Sequence, residues 1–153
     1  MLEFDAELTL WDLDCPDAAA VIASLAARLA ARGCVTGDYG AQTLARERRH
    51  PTGLPTRPFC IAFPHADADG VVRSALGVAI LRRPVPFRSM ADPDEDLPVE
   101  VVFLLANNQP DEQIATLRSL AELFGQPEKL SDLRAQPSAV EAAAWLRAEL
   151  ALA

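Results

Sequence analysis

His65 is the residue of this sequence best placed to act as a nucleophile. It follows the apolar run 59–63, which predicts a buried strand, and Pro64 ends that strand. Proline has a fixed φ and biases the residue before it to an extended backbone, so the imidazole is presented from a stiff strand end. Open α/β sheets commonly place ligands at strand ends, and a neutral imidazole is a good nucleophile near pH 7. The alternative is an ordinary surface histidine beside a turn.

Charged and polar residues upstream of His65 are candidates for holding a phosphate. Arg46 can bind phosphate oxygens through two parallel hydrogen bonds, and phosphoryl transfer depends mostly on positioning and charge stabilisation. Glu47 could hold either that arginine or the imidazole in place. Thr52 and Gly53 could offer a hydroxyl and backbone N–H groups to an oxyanion. Taken singly, each of these residues could instead be structural.

Two acidic residues, Asp67 and Asp69, follow His65 closely. A carboxylate that accepts the imidazole N–H would fix the tautomer and free the other ring nitrogen to attack. The alternative is that both residues solvate a turn.

The charge balance of the chain excludes some partners. The chain has 153 residues and a formal net charge of −8, which argues against nucleic acid because phosphate-binding surfaces need clusters of Lys and Arg. No apolar run approaches the roughly 20 residues needed to cross a bilayer. The acidic segment 1–5 lacks the basic region of a signal peptide. We therefore expect a cytoplasmic protein without direct membrane insertion.

The sequence has no signal for a cofactor. Its three cysteines form no CxxC pair, and its two histidines are too few for a compact metal site. Neither of the glycine-rich nucleotide motifs, GxxxxGK[ST] and GxGxxG after a strand, is present. We expect no cofactor, and we expect that any phosphate handled here does not come from bound ATP.

The elements that position these residues follow from hydrophobic periodicity. The patterns predict helices over 16–32, 36–48, 111–124 and 128–135, and a last helix that begins at Ser138 with Glu141 in a capping box. They predict strands over 59–63, 75–81 and 99–105, an irregular loop over 50–56 and an exposed loop over 90–98. The predicted fold class is α/β, with a mixed β-sheet flanked by helices on both faces, in a single domain spanning residues 1–153.

Three segments of the chain together resemble a known family. They are Arg46-Glu47, the loop PTGLPT at 51–56, and IAFPHAD at 61–67. This pattern resembles the IIA components of the bacterial sugar phosphotransferase system (PTS), in the fructose/mannitol superfamily (EIIA type 2). It is most similar to the galactitol-specific branch. The resemblance covers nearly the whole chain and implies the mannitol-type EIIA fold.

The resemblance implies a phosphotransferase that needs no metal or nucleotide. His65 would accept a phosphoryl group from the phosphohistidine of the carrier HPr and pass it to a cysteine of a IIB component, which serves sugar uptake. Arg46 would stabilise the phosphohistidine. Partners would be HPr and IIB, with no nucleic acid.

One position departs from the mannitol and fructose pattern. Those members carry a second active-site histidine near the start of the helix predicted at 111, where this chain has Gln113. Glutamine can donate a hydrogen bond to a phosphate but carries no charge, which favours the galactitol-like branch. His50 is not at the position of that second histidine and is interpreted as a loop residue.

Two other functions compete with transport. The first is a regulatory IIA-like domain, in which phosphorylation of His65 controls a protein partner without sugar transport. The second is a binding module that has lost phosphotransfer, against which the set of Arg46, Thr52 and His65 argues. No DNA-binding segment accompanies the domain in these 153 residues, and we therefore expect transport.

Overall fold

The computed structural model describes residues 2–152. Its strands are β1 Thr9–Leu13, β2 Gly53–Leu54, β3 Cys60–Ala62, β4 Ala75–Arg88 and β5 Asp96–Ala106. Its α-helices are α1 Ala18–Ala31, α2 Tyr39–Arg49, α3 Ile114–Phe124, α4 Pro127–Arg134 and α5 Ala139–Glu149. Short 3₁₀ turns occur at Ala6–Leu8 and Ala68–Gly70.

The five strands of the described chain form one mixed sheet in the order β1-β4-β5-β3-β2. The long strands β4 and β5 pair antiparallel at its centre. On either side of them, β1 pairs with β4 and β3 pairs with β5 in parallel. The short β2 closes the edge, antiparallel to β3. The predicted mixed sheet is confirmed, and β3, which leads to His65, is an inner strand.

Helices cover both faces of this sheet, as predicted. On one face, Gly77 of β4 packs against Leu25 of α1, so closely that a Cβ there would lie 3.3 Å from the leucine Cδ2. Its neighbour Val78 points to the other face and is paired with Phe103 of β5. The ring of Phe103 lies 5.1 Å from that of Phe124, at the end of α3. A sheet buried on both sides explains the nearly continuous apolar runs of β4 and β5.

The helix ends follow local sequence signals. The α1 helix begins after Asp17, whose carboxylate accepts a hydrogen bond from the Ala20 N–H at 2.8 Å. The chain leaves it through Gly33, which has φ +78°, a left-handed conformation that favours glycine. The α5 helix begins after Ser138, whose hydroxyl accepts from the Glu141 N–H at 3.2 Å. These starts and stops are set by residues within one turn, which is why the sequence predicted them closely.

The sheet is larger than the sequence predicted. Strand β1 was missed, because it is short, deviates from strand geometry at Asp12 (φ 58°) and exists through its parallel pairing with β4. Strand β4 runs to Arg88 and β5 starts at Asp96, so the loop predicted over 90–98 is too long. Prolines indicated irregular structure in these segments. The prolines of β4 are tolerated because β1 pairs only as far as Leu81, which leaves the rest of β4 unpaired on that side.

The prediction of a wholly irregular loop at 50–56 was also wrong. Gly53 and Leu54 form β2, opposite Ala62 and Ile61 of β3. The flanking prolines confine the strand to two residues without preventing it.

No helix among residues 2–152 is long and apolar enough to span a membrane.

Candidate active site around His65

The imidazole of His65 is held in one orientation by its own strand end. The residue lies three positions beyond the end of β3, and its side chain is half-buried. Nδ1 lies 3.1 Å from the carbonyl oxygen of Phe63. A carbonyl can only accept, so Nδ1 carries the proton and Nε2 of the neutral ring keeps its lone pair. Nε2 is therefore the ring nitrogen whose lone pair is available for a nucleophilic attack.

A cavity of about 270 Å³ adjoins this imidazole. It lies between the strand end that carries His65, the end of β5 and the first turn of α3. Its lining residues are Phe63, His65, Ala66, Leu105, Asn107 and Leu117. Most of these side chains are apolar, so the cavity walls screen charge weakly and each polar group inside has a large effect.

Arg46 lies close to the segment that follows His65. It occupies the last turn of α2, and its Nη1 is 3.6 Å from Oδ1 of the exposed Asp67. Its Nε is buried and has no hydrogen-bond partner within residues 2–152. A second cavity of about 260 Å³, lined in part by Arg46 and Asp67, shares Ala66 with the His65 cavity. The structure thus places Arg46 next to the site with a donor still unused.

The carboxylates after His65 do not orient its ring. The sequence left open whether Asp67 and Asp69 accept the imidazole N–H or solvate a turn. The backbone carbonyl of Phe63 takes the Nδ1 proton instead. Asp67 pairs loosely with Arg46, and Asp69 lies in the short 3₁₀ turn that follows.

Glu47 and Thr52 form a buried clamp rather than an oxyanion site. The carboxylate of Glu47 accepts from the Thr52 N–H at 2.9 Å and from its hydroxyl at 2.8 Å. The same hydroxyl accepts from the N–H of Phe63 at 3.1 Å. Burial raises the pKa of Glu47, and the two hydrogen bonds from Thr52 oppose that rise. Thr52 therefore has no donor left for an oxyanion. The sequence offered Glu47 as a partner for Arg46 or the imidazole, but its carboxylate bonds to Thr52 instead.

This clamp acts on His65 indirectly. It ties the end of α2 to the backbone of Phe63, two residues before the histidine. The carbonyl of that same Phe63 holds the imidazole. The clamp therefore fixes the position from which the ring is presented.

Gly53 is required for packing. A Cβ at this position would lie 2.5 Å from the carbonyl oxygen of Arg88, which no side chain could tolerate. The carbonyl of Gly53 also accepts from the N–H of Met90 at 2.8 Å. These contacts fasten the loop after α2 to the end of β4.

Gln113 and His50 lie outside the lining of the His65 cavity. Gln113 is buried at the start of α3, and its carbonyl accepts from the N–H of Leu117, which does line the cavity. Gln113 thus precedes the lining residue Leu117 by one helical turn. His50 is exposed at the end of α2, where its N–H donates to the carbonyl of Arg46.

The sequence interpretation missed two residues of this site. The hydroxyl of the fully buried Tyr39 accepts from the N–H of Ala66 at 3.3 Å, directly after His65. Burial raises the pKa of this phenol and keeps it protonated. Tyr39 precedes Arg46 by seven residues, two helical turns, so helical spacing could have placed both on one face of α2. Asn107 follows the end of β5, and the strand-end rule that selected His65 could have selected it too.

The chain has clear relatives. The profile of the family described as "Phosphoenolpyruvate-dependent sugar phosphotransferase system, EIIA 2" matches residues 3–148. The PTS system galactitol-specific EIIA component of Escherichia coli (strain K12) is 30% identical over 121 residues, 79% of this chain and 80% of that protein. The transcriptional regulator ManR of Bacillus subtilis (strain 168) is also 30% identical over 121 residues, which are 79% of this chain but 16% of ManR.

The fold has a solved counterpart in a complex. The structure of enzyme IIAMTL with phosphorylated enzyme IIBMTL from Escherichia coli superimposes with a TM-score of 0.76 at 20% identity, and the match covers 99% of both chains. The predicted mannitol-type architecture is confirmed by this likeness. The profile match and the galactitol-specific relative confirm the predicted family. The chain therefore belongs to the EIIA type 2 family of the phosphoenolpyruvate-dependent sugar phosphotransferase system, and is a phosphotransferase.

Proposed function

We propose that this protein is a phosphocarrier that accepts a phosphoryl group on His65 from HPr and passes it to a IIB component for sugar uptake. The observation that carries the proposal is the hydrogen bond from Nδ1 of His65 to the carbonyl of Phe63 at 3.1 Å. It fixes the ring and leaves Nε2 unprotonated beside an open cavity. A carrier needs this arrangement at neutral pH, with a nucleophile that requires no separate base.

The transfer balances without any added cofactor. The lone pair of Nε2 attacks the phosphorus of the donor phosphohistidine, and a new N–P bond forms as the old one breaks. The electron pair of the broken bond returns to the donor ring nitrogen. Both rings keep the proton on their other nitrogen, so no proton enters or leaves. The onward step to a IIB cysteine is analogous: a thiolate attacks phosphorus, and the electron pair of the N–P bond returns to Nε2.

Arg46 is the cation proposed to stabilise the phosphoryl group. A phosphoryl group adds negative charge to a chain whose formal net charge is already −8, so local compensation matters. The Nε of Arg46 supports this role. It is buried without a hydrogen-bond partner among residues 2–152, and such a donor is costly unless a ligand completes it. The role of Gln113 as a weaker, uncharged contributor stays a prediction, because this residue before α3 is buried outside the cavity lining. Glu47, Thr52 and Gly53 support the site by holding its backbone.

Several observations support the proposed partners and setting. The galactitol-specific relative favours a galactitol-like sugar, and the solved complex of enzyme IIAMTL with phosphorylated enzyme IIBMTL favours IIB as the acceptor. The three cysteines are free, which suits the reducing cytoplasm in which we place the protein.

A second candidate function is regulatory. The similarity to the transcriptional regulator ManR favours a domain whose phosphorylation on His65 controls a protein partner. Both functions use the same chemistry and differ in the acceptor. Transport predicts that the phosphorylated protein gives up its label to a IIB component within seconds, whereas a regulatory domain would keep it.

The test of the phosphocarrier role uses enzyme I, HPr and ³²P-labelled phosphoenolpyruvate. The chain contains two histidines, so H50A is the matched control for H65A. We expect wild type and H50A to be labelled equally and H65A to take up no label. Label in H65A at the level of wild type would overturn the assignment of His65.

A further inference from the structure

We propose that Asn107 binds the phosphoryl group on His65, with its side-chain Nδ2–H donating to a phosphoryl oxygen. The inference rests on the proposed phosphocarrier function and adds a residue to it. Asn107 directly follows β5, which ends at Ala106, and belongs to the lining of the His65 cavity.

The carboxamide of Asn107 has a fixed orientation. The backbone N–H of Gln109 points at one of its terminal atoms at 3.0 Å, and because an N–H can only donate, that atom is the oxygen Oδ1. The hydroxyl of the buried Ser74 lies 3.2 Å from the same oxygen. The other terminal atom is therefore Nδ2, a double donor that bonds to no acceptor within residues 2–152.

The cavity that Asn107 shares with His65 has few polar side chains in its walls. Among the described residues that line it, Asn107 and His65 have polar side chains, and the others are Phe63, Ala66, Leu105 and Leu117. A phosphoryl oxygen on Nε2 that enters this cavity finds no other side-chain donor in its walls. Arg46 lines the neighbouring cavity, which shares Ala66 with this one. The two donors thus belong to two adjoining cavities, and one is charged while the other is neutral.

A neutral donor suits a group that must be both accepted and released. Hydrogen bonds to an anion in weakly screening surroundings are strong, but a carboxamide adds no net charge that would trap the phosphoryl group. Asn107 also keeps its donor at every pH, so its contribution does not depend on titration.

The variant N107D removes the donor and places one negative charge at the same position. Aspartate retains the shape and the Oδ1 acceptor for Gln109 and Ser74, and replaces the donor with an anionic oxygen. We expect the equilibrium constant for phosphoryl transfer from phospho-HPr to fall about 10- to 100-fold, the range for one hydrogen bond to a charged group. The charge control is A115E, on the exposed first turn of α3, which should change that constant less than about 2-fold. An equilibrium constant does not depend on how well the partners dock.

A measurement on the wild-type protein removes any dependence on the variant folding. The ¹H signals of the Asn107 carboxamide should shift when His65 is phosphorylated, and phosphoramidate can introduce the group chemically if HPr does not. A shift at Asn107, together with the expected fall of the equilibrium constant in N107D, supports the proposal. Equal equilibrium constants in N107D and A115E, or an unchanged Asn107 signal in the phosphorylated protein, would overturn it. Failure of HPr to label wild type would instead refute the proposed function.

Discussion

Two polar regions of this protein differ in how fully their hydrogen-bonding groups are paired. One lies at the end of α1, and the other surrounds His65. Near α1, Glu3 accepts from Arg73 Nε at 2.7 Å and from the Cys34 thiol at 3.1 Å. Arg73 also donates to the carbonyl of Arg32 at 2.8 Å. Burial raises the pKa of Cys34 to about 11, and Glu3 reinforces the rise, so this thiol stays protonated. The charged side chains and the thiol of this region thus bond to one another or to the backbone.

Around His65 the opposite holds for several groups. Arg46 Nε has no partner within the described chain, and its contact with Asp67 is a loose 3.6 Å. Nδ2 of Asn107 donates to no acceptor in that same part of the chain. The comparison teaches that charged residues alone do not distinguish a site from a structural cluster. The difference lies in which donors remain unused. The Nε of Arg46 is buried, and an unused buried donor costs stability unless a ligand completes it.

The largest expected contrast is between R46A and R73A. We expect R46A to slow phosphoryl transfer from HPr by about 10²- to 10³-fold, because it removes the charged donor at the transferring group. Its melting temperature should change little, since the contact with the exposed Asp67 is loose and the buried Nε has no partner among residues 2–152 to lose. R73A should lower the melting temperature and leave transfer unchanged. Rapid-quench labelling and thermal unfolding by circular dichroism measure both.

The control for R46A is R48A, which removes the same charge from an exposed position in the same helical turn. An equal loss of transfer in R48A would show that overall charge, and not the Arg46 donor, is what matters. The unused donor of Arg46 would then no longer be evidence for a role in phosphoryl transfer.

The next largest effect is expected from T52V, which removes the hydroxyl from the buried clamp. It leaves one carboxylate oxygen of Glu47 and the N–H of Phe63 without their partner. We expect the free energy of unfolding to fall by about 2–4 kcal/mol, the cost of two buried groups left unsatisfied. Urea denaturation measures it. A fall below about 0.5 kcal/mol would show that the clamp contributes little to holding the backbone of the site.

The smallest effect is a pH dependence traced to Glu47. Its pKa is raised in the folded state, chiefly by burial, so the folded protein holds this proton to higher pH than the unfolded chain. Stability from this group is therefore full below the ordinary carboxyl pKa and is lost as pH rises through the folded pKa. The slope is at most about 1.4 kcal/mol per pH unit. The variant E47Q has no carboxyl group at this position and should lack this pH dependence.

The measurement is the difference between the unfolding free energies of wild type and E47Q across pH 4 to 8. Other carboxylates contribute equally to both proteins and cancel in that difference. A difference that grows in favour of wild type with rising pH would contradict the raised pKa.

The sequence by itself determined the parts of this protein that depend on near neighbours. Pro64 after an apolar run predicted the stiff strand end that carries His65, and Ser138 marked the start of the last helix. Motifs around Arg46 and His65 were enough to identify the family. These features follow from φ restrictions, capping and periodicity, which act over a few residues.

Only the tertiary structure decided how the polar groups pair. Thr52 proved to be bonded to Glu47 and Phe63 instead of being free for an anion. Asn107 became a candidate because Ser74, 33 residues away, helps to orient its carboxamide. Strand β1 exists through its pairing with β4, far along the chain. Residue types determine which groups can donate or accept a hydrogen bond, but long-range packing decides which of these groups come close enough to bond.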